Sequence, residues 1–363
     1  MQGRNQVRPT LRWFSRRRIL SQRRQARRDL VQNRPEPVFV GERHVALEGI
    51  STLNLQVFQA ARLLLSMWRP EETRPVMSEL QQQGRTRARR AFATILGTNE
   101  IASAVAVELH RRGYHVVLSH DPMPPVIRRK MAFHDALFED DVSVDGVKAE
   151  RADTGVHIRA GLARNAVQVT SLGLLDLIVL GTIDLLVDAR MNKYQVTPDL
   201  RRLAKLTIGL GPGFSGGTNC DLAIETRPGK EGQIIQHGPT DAPDGIARPL
   251  GGAAADRFVR SKMPGRWHTA IEIGARAFKD FHIGYLGGES ICAPFDGIVR
   301  GVVRDGTEVP AGVKLLEIDP RGRGADWTGL DARALVIAQA VSRALTFRNA
   351  RIADAPSHPY LVK

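Results

Sequence analysis

From about residue 91 onward, short apolar runs alternate with amphipathic stretches. Ala91 to Leu96 is an apolar run that predicts a strand, broken by Gly97-Thr98-Asn99-Glu100. A helical pattern follows through Arg112 and is stopped by Gly113, and a second apolar strand spans His115 to Ser119 with Asp121 just beyond. Strand, tight turn, helix and strand within about 30 residues make the βαβ unit of a dinucleotide fold. Further strands are predicted at Val142 to Ala149, Val167 to Ser171, Asp184 to Asp188, Leu206 to Leu210 and Leu222 to Thr226. Their alternation with helical stretches predicts an α/β, Rossmann-like domain over 91–248 with a mainly parallel sheet.

The pattern then turns into a repeat. Gly265, Gly274, Asp280 and Ile283 recur, shifted by 32, as Gly297, Gly306, Gly312 and Leu315. Two copies of strand, tight turn and strand predict a small lipoyl/biotinyl-like β module, a barrel-sandwich-like repeat over 249–325, because each half can bury its apolar face only against the other. Carriers of that shape modify a lysine at the hairpin between the halves. That hairpin here, Gly284-Tyr285-Leu286-Gly287-Gly288-Glu289-Ser290, has no lysine, and Lys262 stands at the repeat position of Pro294. No covalent lipoate or biotin is expected. A C-terminal helix, about Leu330 to Phe347, is expected to dock on the α/β domain within the segment 326–363.

Upstream, Ser51 can cap a helix in which Leu53, Val57, Leu64 and Met67 recur at helical spacing before Pro70. This predicts a helical extension over 35–90. The net charge of +14 over 363 residues is concentrated ahead of it, since residues 1–34 hold eleven arginines and a single acid, Asp29. The folded part is therefore not broadly basic. The arm reads as a disordered tail able to touch polyanions or to do nothing specific. Ser15-Arg16-Arg17-Arg18-Ile19-Leu20 resembles a twin-arginine signal, but Gln22-Arg23-Arg24 follows where an apolar stretch is required. With no membrane span and only Cys220 and Cys292 as cysteines, the expectation is a cytoplasmic protein without disulfides or a metal site.

Three loops carry candidate chemistry. In a dinucleotide fingerprint the turn after the first strand approaches a pyrophosphate. Gly97 fits that role, while Asn99 stands where a second glycine is usual. Asp188-Ala189-Arg190-Met191-Asn192-Lys193 sets a carboxylate, a guanidinium and an ammonium at a strand end. Arg190 and Lys193 suit a phosphate, and a structural pair of Asp188 with Arg190 is the competing reading. Gly209-Leu210-Gly211-Pro212-Gly213-Phe214-Ser215-Gly216-Gly217 holds five glycines in nine residues. It reads as an anion-binding nest through Gly209, Gly211, Gly213 and Gly216, or as a tight turn. It lacks the Gly-Lys-Ser/Thr of a P-loop.

Together Asp188-Ala189-Arg190-Met191-x-Lys193, Ile208 to Phe214, Ile224-Glu225-Thr226, Asp296-Gly297-x-x-Arg300-Gly301, Arg304-Asp305-Gly306-Thr307 and Ile318 to Gly322 resemble the YqeB-type accessory proteins of selenium-dependent molybdenum hydroxylases. The resemblance runs from about Ala91 to Phe347 and is similar in part to xanthine and carbon monoxide dehydrogenase maturation proteins. It implies a maturation factor that binds a molybdopterin-type phosphorylated pterin or a nucleotide and partners a molybdenum hydroxylase client. Two positions depart from the pattern. Gly97-Thr98-Asn99-Glu100 replaces Gly-x-Gly-Asp, and Pro228-Gly229-Lys230 stands where Arg-Gly-His is usual. The alternatives are an NAD(P)-dependent oxidoreductase, although no Tyr-x-x-x-Lys pair is present, and a polyanion-binding adaptor acting through the arm. A homodimer is expected only from the prevalence of twofold assemblies.

Overall fold

The computed structural model describes residues 89–193 and 195–353, the last six as helical backbone alone. The arm, the extension up to residue 88 and the tail beyond 353 lie outside the described residues. Phe92-Ala-Thr-Ile-Leu96 forms β1 (Phe92–Leu96), buried at four of its five positions. It is flanked by β2 (His115–Ser119) on one side and β6 (Leu185–Asp188) on the other, both parallel to it. A parallel strand covered on both faces is near-continuously apolar, and this segment is so except at the buried Thr94. With β3 (Val142–Val144), β4 (Val147–Arg151), β5 (Val167–Thr170), β7 (Leu206–Leu210), β9 (Leu222–Ile224) and β10 (Ile234–Ile235), the sheet has nine strands in the order β10-β9-β7-β6-β1-β2-β5-β4-β3. Only the edge strands β10 and β3 run antiparallel to their neighbours, and the short strands β8 (Ser215–Gly216) and β11 (Gly238–Pro239) pair with each other apart from this sheet. The α/β class with a mainly parallel sheet is thus observed.

One predicted strand is corrected. Val142 to Ala149 is a hairpin of β3 and β4 rather than a continuous strand. Asp145 and Gly146 both take positive φ, 50° and 77°. A two-residue turn of that kind matches the twist of the paired strands, so Asp-Gly reverses the chain where an apolar run alone predicts continuation.

Among the described residues, four helices accompany the sheet: α1 (Glu100–Arg111), α2 (Gly155–Ala163), α3 (Leu174–Ile178) and α4 (Ala332–Ala353). As expected, α4 docks on the α/β domain. Ala102 and Ala106 of α1 share a buried core with Ala334, Ala338, Val341 and Ala344 of α4, and their small side chains let the two helices approach. Ser342 Oγ donates to Glu108 Oε1 at 2.6 Å across that contact.

The repeat forms two four-stranded sheets. One contains β12 (Phe258–Arg260), β19 (Lys314–Asp319), β17 (Gly297–Val302) and β14 (Arg276–Ala277); the other contains β16 (Glu289–Cys292), β15 (His282–Leu286), β13 (Gly265–Thr269) and β18 (Glu308–Val309). Each half lends its short middle strand to the other. Thus β14 pairs with β17, and β18 pairs with β13. This exchange is the structural form of the 32-residue repeat, and neither half has a closed core without it. Trp267 is fully buried at the centre among Ile283, Leu286, Val299, Val302 and Leu315, and its Nε1 donates to the Val303 carbonyl at 3.1 Å. The module is not free-standing. Ile127, from the segment after β2, belongs to the same core, and its carbonyl accepts the Val302 N–H at 2.9 Å.

Candidate functional site

Strand order reverses between β1 and β6, where open α/β sheets usually leave a crevice for ligands. Here that crevice is laced from within. Asn99 caps α1, its Oδ1 accepting the Ile101 and Ala102 N–H groups at 3.0 Å, and its Nδ2 donates to the Ala189 carbonyl at 2.7 Å. The amide groups that would receive a pyrophosphate are therefore satisfied by a side chain. Gly97, at φ 106°, packs against the same neighbour, since a Cβ there would lie 3.1 Å from the Ala189 carbonyl oxygen. Asn99→Ala is expected to cost about 1–3 kcal/mol in urea denaturation, from the lost cap and the lost bond to Ala189.

Asp188 and Arg190 form the structural pair. Arg190 Nε lies 3.0 Å from Asp188 Oδ1 and one terminal nitrogen lies 2.6 Å from Oδ2, while Asp121 stands 3.8 Å from the other. The glycine loop is likewise packed against its own protein. A Cβ on Gly209 would meet the Phe214 ring at 2.1 Å, one on Gly211 would meet Thr226 Oγ1 at 2.7 Å, and one on Gly213 would meet Thr197 Oγ1 at 2.7 Å. On Gly216 it would meet the Ile235 carbonyl at 2.4 Å. The N–H groups of Gly211, Ser215 and Gly217 already serve Ile224, Asn219 and Cys220. Gly211→Val is expected to destabilise the chain by about 2 kcal/mol or more, because φ 84° disfavours a branched residue and Thr226 must move. Thermal melts of the two proteins check this.

What these loops do build is one wall of a cleft of about 520 Å³ at the seam between the sheet and the β module. Met191, Lys193, Pro212, Glu225 and Thr226 line it from the α/β side, and Arg257, Phe258, Arg300, Lys314 and Arg321 from the module. Glu225 folds the wall. One of its oxygens accepts the backbone N–H groups of Thr226 and Arg227 at 2.6 and 2.7 Å, and the other accepts that of Asp241 at 2.6 Å.

Beneath the cleft lies Glu317 on β19, with no exposed surface. Arg128 grips it with two bonds of 2.7 and 3.1 Å, Arg257 adds one at 3.0 Å and Arg300 one at 3.4 Å. Burial raises its pKa, but the three guanidinium groups outweigh burial and hold it at about 2. Arg128 also reaches Glu100 at the start of α1 (3.1 Å), and Arg300 reaches Asp331 at the start of α4 (2.9 Å). The network thereby ties both helices to the β module.

Cations are in excess around this core. The lining holds nine basic and five acidic side chains, and three of the basic ones have no carboxylate within ion-pair distance among the described residues. Arg333 spends its guanidinium on the Thr226 carbonyl, at 2.6 and 3.2 Å. Lys314 Nζ lies 3.4 Å from the centre of the Phe258 ring. Burial, with Arg128 nearby, lowers the Lys314 pKa from the usual 10.5 to about 8, against the opposing pull of Glu317 and Glu100. Lys193 is lowered by burial and by Arg333 and Arg260, and Arg333 chiefly by burial. Unbalanced, partly desolvated cations that converge on a cleft stabilise an anion placed there. Among the described residues no cluster of His, Cys, Asp or Glu could hold a metal ion.

Of the residues singled out in the sequence, the structure brings Lys193 to the cleft, with Met191 and Pro212 from the same two loops. At the β1–β6 crevice, Gly97 packs against Ala189, Asn99 bonds to the Ala189 carbonyl, and Asp188 pairs with Arg190. Arg128, Arg257, Lys314, Glu317 and Arg333 were not singled out. A signal existed for one: in Leu315-Leu316-Glu317-Ile318 an acid interrupts an apolar strand, and such a residue requires buried partners.

No family model matches the chain. Over 263 residues, 70 % of its length, the chain is 33 % identical to the uncharacterized protein YqeB of Escherichia coli (strain K12). It covers 47 % of that protein, so the chain spans about half the length of the curated relative it matches. The match supports the YqeB-type part of the resemblance. Two solved structures are also similar in part. One is an aspartoacylase family protein from Mesorhizobium loti, with 12 % identity, TM-score 0.22, and coverage of 65 % of this chain and 87 % of that one. The other is a succinylglutamate desuccinylase/aspartoacylase from Rhodobacter sphaeroides, with 15 % identity, TM-score 0.20, and coverage of 63 % and 85 %. At those scores neither carries an inference. No helix among the described residues is long and apolar enough to cross a membrane.

Proposed function

We propose that the chain is a cytoplasmic accessory factor in the maturation of a molybdenum hydroxylase, holding a phosphorylated pterin of the molybdopterin type, or a nucleotide, by its phosphate in the seam cleft. The observation that carries the reading is the trio Lys193, Lys314 and Arg333, which line one cleft without carboxylate partners among the described residues. A phosphate oxygen accepts from such groups in charge-assisted bonds. Met191, Pro212, Leu250 and Phe258 give the same cleft apolar surface against which a flat ring can lie. The segments that carry the YqeB-type resemblance supply Lys193, Pro212, Glu225, Thr226, Arg300 and Arg321 to its walls. Attachment of lipoate or biotin forms no part of this role.

An oxidoreductase using NAD(P) is disfavoured by Asn99, which occupies the helix terminus and the crevice where a dinucleotide phosphate would sit. The full chain is therefore expected to bind a pterin monophosphate ester or a mononucleotide at least tenfold more tightly than the dephosphorylated pterin or NAD, by calorimetry. Preference for NAD, or indifference to the phosphate, would contradict the proposal.

A further inference from the structure

A second cavity, of about 320 Å³, lies on the carboxyl side of β1 and β2 and differs in character from the cleft. Its walls are Met123, Val126, Phe138 and Val303 with two imidazoles, His120 and His134. Its charged lining residues, Arg304 and Glu308, are each in an ion pair, with Glu139 at 2.8 Å and Arg266 at 3.8 Å. No unpaired charge faces this cavity among the described residues.

The two imidazoles share one hydroxyl. Thr98 Oγ1, in the turn after β1, stands 3.1 Å from His120 Nδ1 and 3.1 Å from His134 Nδ1. Thr98 is 2 % exposed and His134 7 %. Burial lowers both imidazole pKa values, His134 to about 3 with help from His120, Arg129 and Arg304, so both rings are neutral at physiological pH. A hydroxyl has one proton to give. Thr98 therefore donates to one Nδ1 and accepts an N–H from the other. A neutral imidazole carries a single N–H, so the remaining nitrogens are fixed as well. One Nε2 is a donor and the other an acceptor. Neither has a partner among the described residues, and both rings line the cavity.

We propose that this cavity binds an uncharged planar heteroaromatic ring through an edge bearing one acceptor and one donor, as an aminopyrimidine or lactam edge does. The apolar walls suit the ring faces, and the Thr98-locked pair reads the edge. The volume is near the lower end for small-molecule sites, about 300–1,000 Å³, which suits a ring system rather than a large ligand. The site stands apart from the phosphate reading of the cleft, and failure of either leaves the other in place.

The test uses the full chain with 15N-labelled histidine at neutral pH, the two signals being assigned through His120→Gln and His134→Gln. His120 and His134 should appear as neutral rings of opposite tautomer, and Thr98→Val should abolish that opposition. Adenine or 2-amino-4-oxopteridine should shift both signals saturably, while naphthalene binds at least tenfold more weakly. Thr98→Val should weaken the heteroaromatic probe at least tenfold. If that variant does not fold, His120→Gln, at the more exposed ring, serves for the same comparison. Identical tautomers, equal binding of naphthalene, binding insensitive to these substitutions, or no response to either heteroaromatic probe would overturn the proposal.

Discussion

Glu317→Gln is expected to lower the stability of the chain by about 3–5 kcal/mol, the cost of removing one partner from a buried ion network. Glutamine keeps the shape of the side chain but leaves Arg128, Arg257 and Arg300 around a neutral amide. Those groups are held from three separate segments, so the loss also loosens the seam between sheet and β module. The parent should show the matching acid sensitivity. Its Glu317 titrates at about 2 when folded, below the ordinary 4.5. A depressed carboxyl pKa contributes stability that is fully present above the unfolded value and is lost as pH falls through the folded one. Between pH 4.5 and 2 this group should therefore give up about 3 kcal/mol, at about 1.4 kcal/mol per unit of pKa shift. Urea titrations of parent and variant across that window check the sign. The variant should lack this part of the acid loss.

Lys314→Gln is expected to weaken anion binding by roughly ten- to hundredfold, the worth of one charge-assisted bond of about 1.5–3 kcal/mol. It should do so without lowering stability. The ammonium faces Arg128 and Arg260 as well as Glu317 and Glu100, and burial already disfavours its charge. Its folded pKa of about 8 lies below the usual 10.5, so the empty protein loses this cation as pH rises through 8. Affinity for an anion of fixed charge should fall over the same range, and the Lys314→Gln protein should lack that part of the pH dependence. By the same linkage, the strain of the buried charge is relieved between pH 8 and 10.5, and the parent gains stability there. A pH series of calorimetric titrations with a sulfonate probe reads the first effect, and thermal melts read the second.

How far the sequence discloses this molecule depends on whether a feature is local. Phe92 to Leu96, Gly97 and the helix behind it form one contiguous signal, and the strand–turn–helix follows from it. The 32-residue repeat is also visible, because equal glycines mark equal turns. The hairpin at Asp145-Gly146 carries its own turn signal, but the apolar residues around it favour a single strand. The glycines at 209, 211 and 213 show the limit of local reading. Their spacing says that a side chain is excluded but not by what, and the excluding atoms belong to Phe214, Thr226 and Thr197. The cleft is the least legible feature. Arg128 and Glu317 lie 189 residues apart, and only the docking of the β module on the sheet brings them together.

The proposed phosphate site requires Lys193, Lys314 and Arg333 to act together on one anion. Calorimetric titration of the full chain with inorganic pyrophosphate tests it most directly, with the parent set beside a protein in which all three are replaced by glutamine. The parent should bind saturably, and the triple replacement, which melts cooperatively although it lacks the Arg333 bonds to Thr226, should lose more than a hundredfold in affinity. Equal binding by both proteins, or no saturable binding by the parent, would contradict it.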